Sequence, residues 1–281
     1  MDLKNVCNQI FQATEKPFEK LLCFVADGAA TMQGCKAGVR QRISNEQPAL
    51  IGLHCMAHRL ELAFKNTIKK FKAYHNVEDL LFKVYKFYHN SPLNRAELKE
   101  ACKSLGIKQL VPTRVGGTRW LPHLNTALGN FWELYDAIKL QLENCSLRSK
   151  TDSAAVSLGL LKSLTMPSLI NAALELSEVV CCLQKVSLTL QDRNTTLFHA
   201  YTCVEVVQES LTNLKEDTEK IKNKMNKFEF SVEKQKRNED VIEKNTNFQH
   251  FIENIIEQLQ GRFVDINESL FSLSKILSLS E

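Results

Sequence analysis

The chain has 281 residues, 44% hydrophobic and 24% charged, with a formal net charge of +4; this composition is globular and excludes a disordered or fibrous protein. Gly and Pro are scarce, at 10 and 6, which argues against an all-β design built on tight turns. No apolar run approaches the roughly 18 residues of a membrane span.

The opening MDLKNVCNQIFQ lacks a basic-then-apolar leader, so export is not expected. Nine cysteines with no CxxC pair are the pattern of a reduced, intracellular chain. A helix is predicted over 2–14, where Leu3, Val6, Cys7, Ile10 and Phe11 recur at helical spacing before Pro17. Two short apolar runs follow, Leu21–Ala26 and Leu50–Leu53. The first is wholly apolar and reads as a strand covered on both faces. Between them, Gly28 opens a short helical turn, and Gly34 and Gly38 punctuate a loop before Val39–Ile43.

From Cys55 an amphipathic helix is expected, with Leu60, Ala63, Phe64 and Ile68 inward and Arg59, Lys65, Lys69 and Lys70 on the solvated face. Another covers about Val77–Asn90 and carries an aromatic-basic run, Lys83-Val-Tyr-Lys-Phe-Tyr. A Ser91-Pro92 turn then caps a helix over Leu93–Leu105. The segment 106–122 reads as loop, because Pro112, Gly116, Gly117 and Pro122 oppose regular helix; it gathers Arg114, Arg119 and Trp120.

Beyond it helices are predicted at about 123–144, 154–164, 168–190 and 195–215. Residues 211–232 show heptad-like spacing through Leu211, Leu214, Thr218, Ile221, Met225, Phe228 and Val232, in a helix packed internally or an oligomerising one. Residues 233–247 form a polar linker, and a last amphipathic helix begins near Phe248. The domains are therefore expected at 1–75, 76–232, 233–247 and 248–281.

Charge is uneven. Residues 59–119 hold 13 Lys/Arg against 5 Asp/Glu, about +8, either a phosphate-attracting footprint or ordinary solvated helix faces. Asp27, just past the first strand, is a turn or cap residue or a metal ligand; one carboxylate cannot hold the paired Mg²⁺ ions of phosphoryl chemistry. Cys55 and His58 share a helical face, but a structural zinc site needs four ligands and the chain offers no second pair. Trp120 either stacks on a base or anchors its loop in the core.

In order, FVADGAATMQGCKAGV (24–39), LIGLHCMAHRLELA (50–63) and GTRWLPH (117–123) resemble the hAT-superfamily transposases, in particular the animal branch associated with TTF-type or BED zinc fingers. Residues 174–201 also look like that family's insertion region, so the likeness spans roughly 1–215. It implies a mainly α fold with a small α/β part: a partial RNase H-like core followed by a large all-helical insertion domain.

By the same resemblance, Asp27 falls on the second acidic position of the family's metal triad. Cys55 and His58 fall on its C-x-x-H motif near the scissile DNA, and Trp120 on a tryptophan that handles a flipped or hairpin base. The first catalytic Asp is not matched, and Glu253, Glu257 and Glu268 carry no motif for the third. The expectation is a transposon-derived, domesticated protein, truncated at both ends, nuclear and catalytically inactive. It would bind DNA weakly and without sequence preference through Cys55, His58, Arg59, Arg114, Arg119 and Trp120. No cofactor is expected, Mg²⁺ entering only if a metal site were completed. Protein partners on the C-terminal helices are an alternative, residual nuclease activity another, and no membrane is expected.

Overall fold

The computed structural model describes Asn5, Gln9, Gln12 and residues 20–117, 120–148, 152–228 and 240–263. The helix expected over 2–14 lies outside them except at Asn5, Gln9 and Gln12, which are helical and exposed. Among the described residues 75% are helical and 4% lie in strands, with one small parallel sheet. It divides into two compact units, 1–62 and 63–281.

In the first unit, β1 (Cys23–Ala26) pairs in parallel with β2 (Ile51–His54), Cys23 opposite Ile51 and Ala26 opposite His54. A parallel pair needs a crossover; here it contains α1 (Ala30–Gln33) and α2 (Val39–Glu46). The core is Val39, Ile43 and Leu50, with Leu21, Phe24 and Met32 packed on it. Gln47 and Gln33 tie the crossover to the strands, donating to the Leu21 carbonyl at 3.4 Å and the Leu53 carbonyl at 3.0 Å.

Strand β1 is not covered on both faces as its apolar run suggested. Its residues alternate, Phe24 and Ala26 half-buried while Cys23 and Val25 are exposed, Val25 at 57%. Side chains on a strand point to opposite faces in turn, and the core described here lies against one face only.

The division between the units falls within α3 (Met56–Lys70). The second unit continues with α4 (Lys72–His89), α5 (Pro92–Ser104), α6 (Trp120–Ser146), α7 (Asp152–Leu164), α8 (Pro167–Thr189), α9 (Leu197–Glu216), α10 (Glu219–Met225) and α11 (Asp240–Arg262). Helix α6 packs on α5, α7 and α8; α8 also packs on α4, α9 and α10. Ser91 caps α5, its Oγ accepting from Asn94 N at 3.2 Å, and Pro92 opens the first turn, where its missing N–H leaves no bond unmade.

Three expectations change here. Helix α6 starts at Trp120, before Pro122, because the first-turn N–H groups have no intrahelical acceptor and a proline is tolerated there. The heptad-like run is not one helix: Asp217 is extended, and its Oδ1 accepts from Glu219 N at 3.0 Å, ending α9 and starting α10. Leu211 and Ile221 are buried on separate helices, and Val232 lies outside the described residues. Of the expected linker, residues 240–247 are helical in α11, and 233–239 lie outside the described residues.

No single helix is long and apolar enough to cross a membrane among the described residues. The bent pair α7–α8 passes on composition, yet Leu160, Leu164, Ile170, Leu176, Val179 and Leu183 are buried in the helical unit.

Candidate functional site

The carboxyl ends of β1 and β2 lie side by side, which is where open α/β sheets present polar residues. Asp27 follows one strand and His54-Cys55 close the other. Cys55 is the junction residue: its N–H donates to the Ala26 carbonyl at 2.7 Å, extending the sheet ladder, and its carbonyl accepts from Arg59 N at 3.0 Å, starting α3. Cys55 therefore precedes the helix instead of lying on it, and the Cys55/His58 pair straddles the strand-to-helix turn.

The exposed Asp27 carboxylate serves its own turn, Oδ1 accepting from Ala29 N at 3.1 Å. The His54 and His58 rings are tilted at 40° with centroids 5.5 Å apart. Gly28 is fitted against His54: a Cβ there would lie 2.7 Å from Cε1. Among the described residues no three His, Cys, Asp or Glu side chains gather as a metal cluster.

Arg59, expected on the solvated face, is 9% exposed, whereas Lys65, Lys69 and Lys70 are exposed as expected. Residue 59 lies one position before Leu60 on the helix and falls at the margin of its buried face, where a long aliphatic stem can be covered.

In the helical unit, Trp120 is 9% exposed and packs on Phe64, centroids 5.2 Å apart at 46°. Phe251 meets Phe64 at 6.4 Å, Phe71 at 5.3 Å and Tyr74 at 3.9 Å, so Trp120 joins an aromatic cluster and its packing favours the core-anchor reading. Arg114 is exposed in the loop after α5. Arg119 lies outside the described residues.

One surface on α4 was only half visible in the sequence. The basic-aromatic run was apparent, but Phe82 and His89 complete the same face. Phe82 is 37% exposed with Lys86 Nζ 4.9 Å above its ring, and Tyr85 stacks on His89 at 4.8 Å and 23°. The signal was the i, i+3, i+4, i+7 spacing of 82, 85, 86 and 89. Near this face, burial pushes the Glu78 carboxyl up to about 7 against the pull of His75 and Lys65, with Asp79 adding to the rise. His75 Nδ1 lies 3.6 Å from Glu78 Oε2.

No family model matches the chain, and no solved structure matches it.

Proposed function

We propose that this is a transposase-derived nucleic-acid-binding protein of the hAT type, retaining part of an RNase H-like core and an all-helical insertion domain, and acting by binding and not by cutting. The observation that carries the reading is the parallel pairing of β1 and β2, which brings Asp27 and the Cys55-x-x-His58 motif to adjacent strand ends in the order of the resemblance. The basic excess over 59–119 supports an anionic partner. One matched acidic position, with its carboxylate engaged in a local turn, supports a chain without strand-transfer chemistry.

The test is a salt titration of the full chain with a labelled duplex, read by anisotropy. Affinity should fall at least tenfold between about 50 and 200 mM salt, and the duplex should stay intact with Mg²⁺ or Mn²⁺. No affinity at low salt, affinity indifferent to salt, or metal-dependent cleavage abolished by Asp27→Asn would each overturn the reading.

A further inference from the structure

We infer that the outer face of α4 is a stacking platform for single-stranded nucleic acid; this rests on the nucleic-acid reading above and assigns it a place and a strand state. Phe82, Tyr85, Lys86 and His89 lie within two helical turns on one side of α4. Their rings are not all sealed in the core: Phe82 and His89 are exposed and Tyr85 is half-buried. The Lys86 ammonium over Phe82 and the Tyr85–His89 stack hold the two ring systems in fixed orientations.

Charge complementarity selects the occupant. Lys72, Lys83 and Lys86 are exposed on α4, and among the described residues none of them has a carboxylate within ion-pair distance. Asp79 is the one exposed carboxylate on this helix, and Glu78 is half-buried. Rings at 82, 85 and 89 that keep an accessible side, with ammonium groups at 83 and 86 beside them and free of carboxylate partners, match a ligand alternating flat bases with phosphates. Duplex DNA keeps its bases stacked on each other, so the rings favour a single strand. An acidic peptide would use the ammonium groups and leave the rings idle.

The test compares a labelled oligothymidylate with a duplex of equal length, on the full chain and on Phe82→Ala, His89→Ala and a Lys83→Glu/Lys86→Glu double variant. Unchanged circular dichroism and melting certify that each variant folds. Phe82→Ala should weaken single-strand binding roughly tenfold and leave duplex binding within about twofold; the charge reversal should weaken both. Single-strand affinity unchanged in both ring variants overturns the platform while the nucleic-acid reading stands. A wild-type chain that binds neither oligonucleotide at low salt, or that binds only vesicles of anionic phospholipid, overturns both.

Discussion

Tyr74 Oη donates to Glu175 Oε2 at 2.9 Å, joining α4 to α8 inside the helical unit. Asn171 Nδ2 supplies a second donor to the same carboxylate at 2.7 Å, and the Tyr74 ring lies 3.9 Å from that of Phe251. A carboxylate buried to this degree needs its hydrogen bonds, so the tyrosine hydroxyl helps keep it in the core. Burial, and then the charge and acceptance of Glu175, push the Tyr74 phenol far above its ordinary range, so it stays protonated and donating.

Tyr74→Phe keeps the ring against Phe251 and removes the donor. The loss should be about 1–3 kcal/mol, the range for a buried group stripped of one charged hydrogen bond, read by urea unfolding. A change under about 0.5 kcal/mol would mean that Glu175 finds another donor in its place.

Glu78 gives a pH dependence of defined sign. Its folded value, about 7 against 4.5 for the ordinary group, means that the folded state holds a proton which the unfolded chain releases. Stability from this group is therefore undiminished below pH 4.5 and falls as pH rises towards 7. The full effect is at most about 3 kcal/mol. Glu78→Gln should flatten that part of the stability–pH curve; an identical slope in the variant would refute it.

Glu178 on α8 accepts from Lys220 at 2.7 Å and Lys224 at 2.5 Å, both on α10. Burial raises its pKa, but the two lysines outweigh burial and hold the carboxyl below its usual range. A depressed carboxylate stabilises above its unfolded pKa and loses that contribution as pH falls through the folded one. Glu178→Gln should destabilise by about 1–3 kcal/mol at neutral pH, the half-exposed ammonium ends keeping the figure modest. The gap from wild type should close on acidification.

Two glycines of the first unit should respond differently to alanine. At Gly28 the new Cβ meets the His54 ring at 2.7 Å, whereas at Gly52 it meets the end of the exposed, flexible Arg40 side chain. Gly28→Ala should lower stability by about 1–2 kcal/mol and displace the His54 resonances, while Gly52→Ala should cost under about 1 kcal/mol as Arg40 swings aside. Equal losses in thermal melts would show that the His54 ring also yields freely.

Local chemistry was legible in the chain itself. Helix positions at 60, 63, 64 and 68 and the Ser91-Pro92 cap are written in apolar spacing and in side-chain capping, both of which act within a turn or two. So were the two strands and the turn after the first. Contacts distant in sequence were not. That β1 and β2 run parallel in the register Ala26–His54, that Arg59 is covered and that Trp120 meets Phe64 all depend on residues brought from elsewhere. The end of the heptad-like run at Asp217 shows the same limit on a shorter scale: apolar spacing favoured one helix, and a side-chain acceptor for Glu219 N divided it. The sequence by itself determined the helix-rich composition, the positions of the apolar stripes and the motif order; only the tertiary structure decided which polar groups are buried and which aromatic rings remain exposed, because burial is a property of neighbours that spacing along one chain does not encode.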